Sequence, residues 1–120
     1  MITAVDSSIL FDVCQKDSQY GDLSSRELRR CMDEGRIVIC EVVLAELAAG
    51  FPSQEALERQ LTDFGIEFLP MTVESACHAG IQWKDYLKRG GTRSRLIGDF
   101  LIAAHAYKQC DRLLTRDRGF

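Results

Sequence analysis

The stretch "ITAVDSSILFDV", residues 2–13, sets the fold. Ile2–Val5 is a short apolar run suited to a buried strand. It passes directly into Asp6-Ser7-Ser8, a favourable helix start, and then into Ile9, Leu10, Phe11 and Val13. The same grammar recurs along the chain. A second helix is expected from Ser24, because Ser24-x-x-Glu27 forms a capping box, and Gly35 is placed to end it. Residues 36–40 (RIVIC) are β-branched and read as a strand. Residues 41–49 read as a helix stopped by Gly50 and Pro52, and Ser53 caps another that carries Leu57, Leu61 and Phe64 to Gly65. Residues 66–69 form a third strand closed by Pro70. Thr72 caps a long helix whose apolar face is Val73, Ala76, Cys77, Gly80, Ile81, Trp83 and Leu87, broken at Gly90-Gly91. Asp99 opens a last helix, and residues 112–115 read as a fourth strand. Strands alternating with helices predict an α/β fold with a mainly parallel sheet and right-handed crossovers.

The 120 residues fit one domain with one core, and 46% hydrophobic with 28% charged residues is ordinary for a soluble globular chain. No run of about 18 apolar residues exists to span a membrane, and the acidic start has no basic n-region of a signal peptide. Five cysteines, at 14, 31, 40, 77 and 110, form no C-x-x-C pair. The odd count argues against a disulfide framework and fits a reducing intracellular compartment. Net charge is −3, but unevenly spread: residues 1–83 hold 6 basic and 14 acidic side chains, residues 84–120 hold 9 and 4. Such asymmetry can mark a face for an anionic partner, or arise by chance.

Sites in open parallel sheets form outside the carboxyl ends of the strands. Asp6 follows the first strand, Asp117 follows the last, and Asp99 begins the helix leading into it. Glu41 and Glu46 are five apart, about 140° round a helix, so they do not share a face. Glu46 lies on the side of Val42, Val43 and Ala49, where a buried carboxylate needs a partner or a cation. Each acid has an ordinary reading as a cap, a turn residue or a surface charge; four at one sheet edge are harder to explain that way. Oxygen-only ligands select Mg²⁺ or Mn²⁺. His78 and His105 sit in helical apolar patterns and read as packed rather than catalytic. No G-x-S-x-G, Walker A, G-x-G-x-x-G or H-E-x-x-H motif occurs.

These residues resemble the PIN domain family, and within it the VapC-type toxins. "ITAVDSSILFDV" is similar to the family's first-acid strand, placing Asp6; "VICEVVLAELAAG" resembles the second-acid segment, placing Glu46. "IGDFLIAAHA" places Asp99, and "LLTRDRGF" places Asp117, with Thr115 where the family often has a hydroxyl. Cys40 stands where relatives often have Ser or Thr, and relatives usually continue past residue 120 with a final strand. The resemblance implies a three-layer α/β/α sandwich with a four- to five-stranded sheet over residues 1–120. It also implies a cytoplasmic, Mg²⁺- or Mn²⁺-dependent endoribonuclease acting on RNA as a toxin, a homodimer, and a cognate antitoxin that blocks the site. Asp6, Glu46, Asp99 and Asp117 would then be the catalytic and metal-binding set. Arg93, Arg95 and Arg116 are candidates for contacting RNA phosphates. Two other readings stay open: a PIN-fold module that docks a protein partner with little catalysis, and a PIN nuclease in RNA processing.

Overall fold

The computed structural model describes residues 1–92 and 96–117. Among these residues, four parallel strands form one sheet: β1 (Ile2–Val5), β2 (Arg36–Ile39), β3 (Ile66–Phe68) and β4 (Arg112–Leu114), in the order β3-β2-β1-β4. β1 is central, pairing Thr3 with Ile37 on one side and with Arg112 on the other. Six helices among the described residues connect and cover the strands: α1 (Ser7–Cys14), α2 (Gly21–Glu34), α3 (Glu41–Ala49), α4 (Gln54–Phe64), α5 (Val73–Lys88) and α6 (Ile97–Gln109). The side-chain alternation of the central strands separates two cores. Val5, Ile37 and Ile39 join Ile9, Leu10, Leu28, Val43 and Leu47 in the larger one. Ala4 and Val38 face the other way, onto Ala106 of α6. The three-layer α/β/α sandwich implied by the sequence is therefore present.

Most expected boundaries hold to within a residue. Ser53 and Thr72 cap α4 and α5 as expected, accepting from the Ala56 and Ser75 N–H groups. Gly35 ends α2, and a Cβ there would collide with the Met1 carbonyl. Three expectations need correction. α2 starts at Gly21 rather than Ser24, because Asp17 Oδ2 accepts from the Gln19 and Tyr20 N–H groups and turns the chain early into the helix. Ser24 is consequently interior and buried. α6 starts at Ile97, so Asp99 lies in its first turn rather than at its cap.

The third correction concerns α5. Its expected apolar face is largely outside: Val73 is 81% and Ile81 58% exposed. The buried residues are Ser75 and Ala79, with His78, Trp83 and Tyr86 half-buried. Polar anchors set the rotation of this helix. Gln109 Oε1 accepts from Thr72 N–H (3.0 Å) and Ser75 Oγ–H (2.8 Å), while its Nε2 donates to the Pro70 carbonyl (2.9 Å). His78 stacks on Tyr107, and Tyr86 packs on Phe100. His105 is buried, with Nε2 2.9 Å from the Leu69 carbonyl, and burial lowers its pKa, so it serves packing as expected.

Close approach of α6 to the sheet depends on the small Ala4–Ala106 contact. Ala106→Leu is expected to destabilise the fold by about 1–3 kcal/mol through overpacking. The measurement is urea unfolding, where the midpoint should fall with little change in slope.

Candidate active site

The chain order reverses at β1, since β2 and β3 lie on one side of it and β4 on the other. A crevice outside the carboxyl ends of strands at such a reversal is the usual ligand site of an open parallel sheet. Asp6 is the first residue after β1, and Thr115 the first after β4. They meet across the reversal: Thr115 Oγ1 donates to Asp6 Oδ2 at 2.8 Å, and Asp6 N–H donates to the Leu114 carbonyl at 3.0 Å.

Asp6 is 6% exposed and occupies the N-cap position of α1, but its carboxylate makes no capping bond. Hydroxyls hold it instead. Ser8 Oγ donates to Oδ2 at 3.0 Å. Ser7 Oγ donates to Glu46 Oε1 at 3.0 Å and lies 3.5 Å from Asp6 Oδ1. Ser7 thus lies between the first acid and the second, holding Glu46 from 39 residues away. Read from sequence, Ser7 and Ser8 were only helix-start residues; the signal for their second role is that two hydroxyls directly follow a buried acid.

Glu46 sits on α3 but is exposed at the rim, not buried on the apolar face as its helical phase suggested. The face buried by α3 is that of Val43 and Leu47, and Glu46 lies beside it. Partial desolvation nevertheless pushes its carboxyl above the usual range. The Ser7 hydrogen bond opposes this shift, and the negative charges of Asp6 and Asp99 add to it. Asp99, half-buried in the first turn of α6, accepts from Leu96 N–H at 3.2 Å. Asp99 therefore does cap its helix, from the third position, while its charge is felt at Glu46. No Lys or Arg forms an ion pair with Asp6, Glu46 or Asp99 among the described residues.

Asp117 is placed through its backbone, with its N–H donating to Thr115 Oγ1 at 3.0 Å. Its residue lines an adjoining groove of about 410 Å³ between α6 and β4, with Ala103, Ala106 and Leu113. Arg116 turns towards α1 and binds Asp12. Arg93 and Arg95 lie outside the described residues. Among the described residues, no three acidic, His or Cys side chains stand close enough to cage an ion. The donors do fit a hydrated hard cation, which is held by one or two carboxylates and keeps several waters. The like charges of Asp6 and Asp99 acting on Glu46 are also the environment such a cation neutralises.

The family model for the PIN domain matches residues 3–120. The chain belongs to the PIN domain family. None of the curated proteins matches it in sequence. Among solved structures, it is similar to a chain of VapBC2 from Rickettsia felis bound to a promoter DNA fragment, at 22% identity and a TM-score of 0.76. That alignment covers 100% of this chain and 91% of the other. It is also similar to a chain of VapBC-1 from nontypeable Haemophilus influenzae, at 20% identity, TM-score 0.70, covering 98% and 87%. A third is a chain of DNA-bound VapBC from Salmonella typhimurium, at 22%, TM-score 0.62, covering 88% and 79%. These likenesses establish the shared fold.

The raised pKa of Glu46 has a stability consequence. A carboxyl raised above its usual value of 4.5 contributes stability that is fully present below that value and is lost as pH rises through the folded pKa. At neutral pH the ionised Glu46 therefore strains the metal-free fold. Glu46→Gln is expected to raise the melting temperature in EDTA at neutral pH, with the gain disappearing below about pH 4.5. Thermal melts across pH check this, and a variant that melts lower at neutral pH would show that the Ser7 bond outweighs the repulsion.

Proposed function

We propose that this PIN domain is a divalent-metal-dependent endoribonuclease, the toxin of a type II toxin–antitoxin pair. One observation supports the reading: at the carboxyl end of the central strand of a PIN domain, Ser7 lies between Asp6 and Glu46, Glu46 feels the charge of Asp99, and no described cation is paired to these three acids. Asp6, Asp99, Asp117 and Glu46 would surround a hydrated Mg²⁺ or Mn²⁺, one or two of them binding it directly and the others through its waters. Such an ion, when bound, lowers the pKa of water and shields phosphate charge. Glu46 completes the set or orients the attacking water, and Ser7 holds its Oε1 in place. Thr115 fixes Asp6 and the start of the Asp117 loop. Arg93 and Arg95 are the proposed phosphate contacts.

The likeness to chains of VapBC complexes supports a cognate antitoxin as partner. The solvent-facing apolar stripe of α5, with Val73 and Ile81, supports a protein contact and fits a homodimer. No described helix is long and apolar enough to cross a membrane, and a cytoplasmic location is part of the proposal.

The test is cleavage of a mixed RNA pool with Mn²⁺, quenched by EDTA. Asp6→Asn and Asp99→Asn should reduce cleavage to background while circular dichroism shows the fold retained. Mn²⁺ should raise the melting temperature of the unaltered chain more than that of either variant. Failure to cut RNA under any divalent metal would favour the protein-docking reading instead.

A further inference from the structure

Among the described residues, Asp12 is the buried acid that the proposed site does not use. It lies on α1 among Ile9, Leu10 and Val13, and is only 2% exposed. Burying a lone carboxylate is costly unless it is paired and hydrogen-bonded. Asp12 is both. Arg116 Nε donates to Oδ2 at 2.7 Å and Arg116 Nη2 to Oδ1 at 3.0 Å, a two-pronged contact. Ser24 Oγ of α2 donates to Oδ2 at 2.7 Å. The Arg116 guanidinium also lies over the Tyr20 ring, 4.4 Å from its centre. The Arg116 contact holds the Asp12 carboxyl below the usual range.

The placement of Arg116 gives this pair its meaning. It stands between Thr115, which holds Asp6, and Asp117, the last acid of the proposed set. Asp6 and Asp12 lie at one end and part-way along the same helix, about 9 Å apart at 1.5 Å per residue. Two successive loop residues are therefore clamped to two points of one rigid element. A single hydroxyl contact at Thr115 would let the loop pivot, whereas the second clamp removes that freedom.

We propose that Asp12, Ser24 and Tyr20 form a latch for Arg116, and that these are positioning residues which present Thr115 and Asp117 to the site. Rested on the nuclease reading, the latch contributes to the rate of cleavage through geometry and not through RNA binding. It also makes Arg116 unlike Lys, because a lysine ammonium lacks both the two-pronged contact and the flat face that stacks on Tyr20.

The experiment uses the full chain with Asp12→Asn, Arg116→Lys and the double variant. Cleavage with Mn²⁺ is read as kcat and KM, and amide hydrogen exchange is read at residues 114–117. Asp12→Asn and Arg116→Lys should each lower kcat by on the order of 10- to 100-fold with KM little changed, as expected for misplaced catalytic groups. The double variant should be no worse than the worse single one. Exchange at residues 115–117 should quicken while β1 and β2 stay protected. An Asp12→Asn protein with the original kcat and original loop exchange would overturn the latch. So would a rise in KM confined to Arg116→Lys, which would make Arg116 an RNA contact. If the unaltered chain does not cleave RNA, the nuclease reading fails, but loop exchange still decides whether the latch holds. If Asp12→Asn does not fold, Arg116→Lys carries the same two readouts, since that side chain is 43% exposed.

Discussion

Everything at the candidate site follows from β1 being hydrogen-bonded to a parallel strand on each side. A central strand cannot be approached along its edges, so the residues that leave its carboxyl end are the ones a ligand meets. The order β3-β2-β1-β4 adds the reversal: α3 follows β2 on one side, and the β4 loop arrives on the other. Asp6 is thereby flanked by Glu46 and by Thr115, residues 40 and 109 positions away, with no special loop needed to bring them. The hydroxyls of Ser7, Ser8 and Thr115 then set the orientation of a carboxylate that geometry has only placed.

Much of this was legible in the chain. Strand–acid–helix at residues 2–13 gave the α/β class, and the strand-end rule picked out Asp6, Asp99 and Asp117. Glu46 was found for a partly mistaken reason. Its apolar helical neighbours suggested burial, whereas it stands exposed beside the buried stripe and is perturbed by partial desolvation and by other acids. Position within α3 could be read from sequence, but the distance to Asp6 and Asp99 could not, because it depends on how helices cross.

The errors share one physical origin. Ser24 and the α5 face are judged by local pattern, and each is settled by a partner distant in sequence. Ser24-x-x-Glu27 is a good capping box, but Asp17 turns the chain before it is needed, and the Ser24 hydroxyl goes to Asp12. Val73, Cys77 and Ile81 make a good apolar stripe, but Gln109 holds Thr72 and Ser75 against α6, which turns that stripe outward. Hydrogen bonds to other polar groups override a capping motif in the first case and hydrophobic periodicity in the second, as expected where leaving Ser24 and Ser75 unpaired inside the fold costs more than exposing a few methyl groups.

The same consideration recasts the charge asymmetry of the chain. The excess of basic residues after position 83 suggested a face for an anionic partner. Three of those side chains instead reach back to acids of the first part: Arg116 to Asp12 at 2.7 Å, Arg112 to Glu34 at 2.9 Å, and Lys108 to Glu74 at 3.3 Å. The Lys108 pair is exposed at Glu74 and contributes little to stability. Arg116–Asp12 has one partner wholly inside, so losing Arg116 would strand a buried charge. Part of the asymmetry therefore serves assembly of the fold rather than attraction of a ligand. Meanwhile Asp6, Glu46 and Asp99 present like charge to any approaching phosphate. On the proposed function, a divalent cation is then needed for the substrate to approach at all, before any question of bond breaking, because without it the site repels the backbone it is meant to cut.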